Sequence, residues 1–424
     1  MSDGAFEHGS ASAPGPEPSS TRLLLDRVGF GYFPLALIAR LPFAMMVIGV
    51  LTLVVSARGS VQLGGLNSAM AGIGVAAVGP LIGAAADRFG QRPALLIVAV
   101  ANSIVLGAFA WIAFSPLPDW VMLATAFLIG ATTPQVSPMS RSRLVLVIAN
   151  DIPVVRRPRL LSGTLAYESA ADELVFIFGP VIVGLVATLF GAAAPVIAAA
   201  ILTLFFVAAF ALHRTSAPAK TARERAETLA PASELVRPAL LMTVLGTFGV
   251  GLFFGSMLTS LTSFMQDRGA AEQAGLIYGA MGVGSAILAL SVALLSPRFT
   301  LRWRWIVFAL LIVIGGIVLQ FIGGVAGMVL ALTLMGCGTG PSLVNLFSFG
   351  AMRSPEGRSA TVMTMLGSAI SVGQSAGAWA AGAAAEQLST AAALVLPLIS
   401  ALIVLVTGAV NWWLTPSGRN TAGH

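Results

Sequence analysis

Twelve apolar stretches run through this chain between Tyr32 and Leu414, each about as long as the ~20 residues a helix needs to cross a hydrocarbon core of roughly 30 Å. Backbone polar groups in lipid must be satisfied within the segment, so stretches of this length have to be helical. The expected fold class is therefore an all-α membrane protein with 12 transmembrane helices. Composition agrees, with 57% hydrophobic and 9% charged residues and a mean hydropathy of +0.92, far from a soluble globular chain.

The first predicted span covers Tyr32 to Val55, the fourth Pro118 to Met139, the fifth Leu160 to Phe190, the sixth Ala193 to Leu212 and the twelfth Ala391 to Leu414. Residues 1–28 read as a disordered tail, since their first twenty are rich in Ser, Gly, Pro and Ala and lack the apolar core of a signal peptide. The longest polar interruption, 213–237, carries five basic residues and three glutamates. It reads as a linker between an N-terminal six-helix bundle at 29–212 and a C-terminal one at 238–414, with a second tail at 415–424.

The formal charge of +6 invites a nucleic-acid reading, but its distribution is that of membrane topology. Of 23 basic residues, 20 fall on one side of the predicted spans, and cytoplasmic loops are the ones that retain Arg and Lys. Both termini are thus expected in the cytoplasm of a multi-pass cell-membrane protein. His8, His213 and His424 all lie in tails or loops, and the single cysteine, Cys337, lies within an apolar stretch. No metal site, catalytic residue or cofactor is expected, which argues against a membrane-embedded enzyme.

Charge inside the spans is what points to function. Between spans 2 and 3 stands GAAADRFGQRP, with Gly83, Asp87, Arg88, Gly90 and Arg92, and Asp87 is the only acid in a loop where topology asks only for bases. Gly83 permits close helix approach, Asp87 can cap or pair at an interface, and Arg88 and Arg92 supply donors across it. The alternative is ordinary positive-inside loop charge. An echo of this segment ends span 8, where Arg298, Phe299 and Arg302 align with Arg88, Phe89 and Arg92. A weaker echo sets Gly130 and Pro134 of span 4 beside Gly336 and Pro341 of span 10, as duplicated bundles would.

Span 5 holds Glu168, Asp172 and Glu173. The first two are four apart and share a helix face, and acids within a span face the interior by default because burial in lipid is costly. Arg40, at similar depth in span 1, is the expected partner of Glu168, and Asp172, one turn deeper, is the better proton carrier. A permanent salt bridge ordering the first bundle is the alternative. Further along the span, Gly179, Pro180 and Gly184 suit a bent, closely approached helix. Phe43, Gln135, Phe254, Met257, Asn345 and Gln374 are candidates for an adaptable substrate cavity.

The chain resembles the major facilitator superfamily, whose members carry a Gly, Asp, Arg, Gly and basic-pair pattern between helices 2 and 3. The resemblance implies the major facilitator fold of two six-helix bundles and a gating role for the motif, whose Asp and Arg hold the bundles together on the cytoplasmic side when the cavity faces outward. Gln91 stands where the family usually has a base. Gly179, Pro180 and Gly184 look like part of the helix 5 signature of antiporters. Many proton antiporters of the family have an arginine inside helix 4, and no basic residue occurs between Trp120 and Met139, so Arg40 is expected to serve instead. The implied function is export of a small lipophilic compound by proton antiport, with a proton-coupled importer as the alternative. The implied partners are substrate, protons and lipid, with no nucleic acid, and the chain is expected to be monomeric.

Overall fold

The computed structural model describes residues 20–217, 229–269, 274–296, 298–321 and 323–415. Among these lie fifteen α-helices and no strand. In the first half they are α1 (Ser20–Val28), α2 (Tyr32–Arg58), α3 (Val61–Phe89), α4 (Gln91–Ala113), α5 (Asp119–Ala131), α6 (Val136–Asp151), α7 (Arg157–Phe190), α8 (Ala194–Leu202) and α9 (Ala208–Leu212). In the second they are α10 (Pro238–Gln266), α11 (Ala274–Ser291), α12 (Leu301–Leu319), α13 (Val325–Arg353), α14 (Ser359–Gln387) and α15 (Thr390–Leu414). A π-helical turn, Thr203–Val207, joins α8 to α9, so the three make one span, Ala194–Leu212.

Eight helices among the described residues are long and apolar enough to cross a membrane. Of the other predicted spans, the fourth is split into the shorter α5 and α6, and the described apolar stretch of the eighth, Ile277–Ser291, is also shorter. The halves meet through α3 against α14, α7 against α11 and α13, and α6 against α14, so much of the surface of these elements is covered by protein rather than lipid.

Two expectations are corrected here. Residues 20–28 are not disordered: they form α1, whose Leu24 and Val28 are buried in the first-half core, because the Leu23 to Leu25 run gives the short helix an apolar face. The first nineteen residues lie outside the described part. The linker is tied down at its described ends. The carbonyl of Ala217 accepts from Gln91 N at 3.2 Å, and Ala230 N donates to Glu356 O at 3.0 Å. The second correction is that the fourth span does not end at Met139. Pro134 and the non-helical residues 132–135 break it, and the helix resumes to Asp151, which places Arg141 and Arg143 inside the protein.

The half-to-half echo has a structural counterpart. A Cβ on Gly130 would overlap the Ala71 carbonyl, and one on Gly336 would overlap that of Met281, so each glycine marks a close crossing of corresponding helices, α5 on α3 and α13 on α11. At the arginine-poor end, Arg58 donates to the carbonyls of Ala113 (2.9 Å), Ser115 (2.8 Å) and Leu117 (3.1 Å), while Arg268 donates to Gly323 O at 2.9 Å. Each closes the C-terminal end of the helix two spans further on, which explains two bases on a face that sheds them.

Candidate functional site

Glu168 and Asp172 lie one turn apart on α7, and among the described residues Arg40 and Arg141 converge on them. Arg40 of α2 forms a salt bridge with Glu168 and places Nη1 3.3 Å from Asp172 Oδ1. From α6, Ser140 donates to Glu168 Oε1 at 3.0 Å, Ser137 donates to Asp172 Oδ1 at 2.6 Å, and Arg141 Nη2 binds Asp172 Oδ2 at 2.6 Å. The Tyr32 hydroxyl lies 2.8 Å from Ser140 Oγ. Two guanidinium groups thus face two carboxylates, and the hydroxyls take up remaining carboxylate lone pairs. That arrangement lets charges be buried without an uncompensated one. Accessibility separates the acids: Glu168 is 0% exposed and Asp172 20%.

Arg141 is the residue that sequence reasoning missed. An arginine after Met139 reads as the start of a loop, so the helix was expected to stop before it. The apolar LVLVIA that follows Arg143 was the available signal, since a cytoplasmic loop has no reason to carry it. Arg141 thus stands inside the protein on the same acid as Arg40. Arg141 also crosses between halves: its guanidinium lies over the Phe347 ring of α13, 3.8 Å from the centroid, at cation–π distance.

Beside the cluster lies a cavity. Arg40, Arg141 and Asp172 form its charged wall, and Phe43, Met46, Val175 and Ile370 are among its apolar lining. The π-helical turn contributes Thr203 and Val207; such turns often occur at functional sites. Phe43 and Gln135 lie on the cavity wall. The other candidates lie elsewhere. Met257 is buried in the second-half core with Phe253 and Leu261, and Phe254 packs against it. Asn345 donates to Leu301 O at 3.0 Å. Gln374 sits where α14 presses its backbone against Gly255 of α10.

At the arginine-rich end Asp87 joins the halves. Its Oδ1 accepts from Ala360 N at 3.0 Å, and its Oδ2 accepts from Thr361 N at 2.7 Å and Thr361 Oγ1 at 2.6 Å. A carboxylate here meets the free amides and positive dipole end of α14. Gly83, one turn earlier, makes this possible: a Cβ there would overlap Thr364 Oγ1. Gly90, at φ +92°, turns the chain into α4 in a conformation costly for other residues. The donors to Asp87 across the interface are two α14 amides and the Thr361 hydroxyl. Arg88 lies against its neighbour Phe89, and Arg92 donates to Leu212 O at 3.3 Å, both within the first half. Gln91 replaces a base for a local reason. It is buried, donates to Ser142 Oγ at 2.7 Å and accepts from Arg143 Nε at 2.6 Å. Nearby, burial first, then Arg143 and Arg214, hold the His213 imidazole below its ordinary pKa.

Substituting Asp87→Asn replaces one acceptor oxygen with an amide that faces donors. Charge-assisted hydrogen bonds are worth about 1.5–3 kcal/mol each, so losing one shifts the closed population at this end by about ten-fold or more. In a Cys337→Ser background, a cysteine at the buried Ser368 of α14 should then label faster by about that factor. Unchanged labelling would reduce Asp87 to loop charge.

The helix 5 segment is mixed. Gly179 is a close approach, since a Cβ there would press on Ala44 of α2, whereas Gly184 has open space beside it. The side chain of Pro180 lies outside the described residues, and α7 runs through this position to Phe190.

The Major Facilitator Superfamily model matches residues 30–378. The chain belongs to the Major Facilitator Superfamily. It is an integral membrane protein with a transporter fold, and members of this superfamily transport small molecules rather than catalyse reactions. No curated protein sequence matches it. Solved structures share its fold at low identity. The human organic anion transporter MFSD10 (TETRAN) is 19% identical with a TM-score of 0.69, covering 92% of this chain and 100% of that one. A bacterial homologue of the iron transporter ferroportin in an outward-facing state is 15% identical, with a TM-score of 0.65 over 93% and 98%. The Escherichia coli fucose:proton symporter FucP is 13% identical, with a TM-score of 0.63 over 89% and 98%.

Proposed function

We propose that this superfamily member exports a small, apolar organic compound across the cell membrane in exchange for protons, with Asp172 as the proton carrier. The observation that carries the reading is the position of Asp172. Among the described residues it is the one carboxylate lining the cavity, and its partner Arg141 rests on Phe347 of the other half. A proton on Asp172 removes the charge that holds Arg141, and Arg141 passes that change to the contact between halves. Proton occupancy then biases which way the cavity opens. Glu168, fully buried against Arg40, is the structural member of the cluster.

Taking the arginine-rich end as cytoplasmic, both termini lie inside the cell and the Asp87 contact closes the inner side. The halves, 29–212 and 238–414, alternate about the cavity as a monomer, joined by the 213–237 linker. Export rests on the helix 5 segment and on acids that take a proton when the site meets an acidic exterior. Import by symport is the competing reading, since FucP shares the fold. In inside-out vesicles energised to an acidic lumen, a transported compound should draw protons out, seen as partial recovery of a quenched pH dye. Accumulation in right-side-out vesicles under an inward proton gradient would establish import instead.

A further inference from the structure

At the arginine-rich end a second pocket draws one arginine from each of three elements. Arg27 comes from the end of α1, Arg143 from α6, and Arg214 from the start of the linker just past α9, with Asn150, Thr215 and Ser216 among the polar groups beside them. Asp151 is the single carboxylate among the described lining residues. None of the three arginines forms a salt bridge with it or with any other described residue. The pocket is therefore strongly positive, unlike the cavity between the halves, where each guanidinium faces a carboxylate.

Local structure fixes these charges. Arg143 forms the floor: it is 1% exposed and donates to Gln91 Oε1 at 2.6 Å and Phe210 O at 2.7 Å, so it contributes field rather than a free donor. Arg214 is set by a turn in which Ser216 N donates to His213 O at 2.9 Å and His213 Nδ1 lies 3.0 Å from Thr215 Oγ1. Its guanidinium lies across Gly29, where a Cβ would come within 3.0 Å of Nη2. Gly29 also has φ +88°, so the turn from α1 into α2 and the seat of Arg214 need the same glycine. Arg27 and Arg214 are exposed, and theirs are the guanidinium groups that a ligand can reach.

Charge makes the ligand an anion, and the rim says which kind. Phe30, next to Gly29, is 80% exposed, and Leu146 on the pocket wall and Val154 and Val155 just past Asp151 are exposed too. Inorganic phosphate has no use for such a rim, whereas a phospholipid brings acyl chains to it. We infer that the pocket binds the phosphodiester head of an anionic phospholipid, with Arg27 and Arg214 on the phosphate and the chains along Phe30 and Leu146. Basic pockets at the cytoplasmic ends of membrane helices suit such headgroups, and the arginine-rich end is taken as cytoplasmic, as above. The lipid joins α1, α6 and the start of the linker, and so steadies the first half where the linker leaves it.

The test uses the purified full-length protein in detergent with equal amounts of phosphatidylglycerol and phosphatidylcholine, and native mass spectrometry as the readout. Phosphatidylglycerol should be retained about ten-fold over phosphatidylcholine, and it should raise the melting temperature where inorganic phosphate at the same concentration does not. Arg27→Gln with Arg214→Gln should bring the two lipids to near equality, since basic residues at a membrane surface supply the attraction to anionic headgroups. Arg159→Gln with Arg298→Gln removes two arginines that are equally exposed but outside the pocket, and should keep the preference. Both pairs lie at the surface, so neither puts the fold at risk. No preference in the parent, or an equal loss in the second pair, overturns the inference. Equal stabilisation by inorganic phosphate would assign the pocket to a free anion and also overturn it.

Discussion

Glu168→Gln should destabilise the folded protein by about 3–5 kcal/mol, the usual cost of removing one partner from a buried ion pair. Arg40 would keep its charge at 3% exposure and lose its main counter-charge. Asp172, 3.3 Å from Arg40 Nη1, can take over only in part because it is already bound to Arg141. Removing both charges, Glu168→Gln with Arg40→Gln, should recover part of the loss, giving a coupling energy of about 0.5–3 kcal/mol in the double-mutant cycle. Thermal unfolding in detergent would measure it. If the double variant is no more stable than the sum of the singles, the pair is not the element that orders this bundle.

Asp172→Asn should have the larger functional effect. The asparagine retains a side-chain oxygen for Ser137 and fills the same space, so the cavity should persist, with some loss of stability because Arg141, 3% exposed, loses its bound carboxylate. What disappears is a group that changes charge on the cavity wall. In proteoliposomes, uphill transport driven by a proton gradient should fall to background, while exchange of labelled for unlabelled cargo continues. Uphill transport at the parent rate would assign coupling to another group.

Much of this was legible in the sequence, and what was not has physical reasons. Span positions follow from apolar length, and the acids of α7 stand out because lipid makes them expensive. Gly83 and Asp87 were legible as an interface pair, but their partners were not, because a helix N-terminus offers backbone amides that no residue type announces. Arg141 was hidden by its own charge. Arginine marks loop ends in a membrane chain, and only burial against Asp172 and Phe347 shows it to be internal. The cavity candidates divided for a related reason: depth along a helix can be read from sequence, whereas the face it presents depends on the crossing of neighbours. Phe43 and Met257 are similar in kind, yet one lines the cavity and the other fills the second-half core.

The central claim is that cargo and proton exclude one another through Asp172, and linkage makes that directly measurable, because a ligand that disfavours a bound proton must release it. Adding a transported compound to the purified protein in lightly buffered detergent, near the pH at which the site is half protonated, should acidify the solution. The release should approach on the order of one proton per bound molecule as the site's proton occupancy rises. The Asp172→Asn variant should bind the compound and release none. Proton uptake on binding, or release from Asp172→Asn equal to that of the parent, would contradict the account.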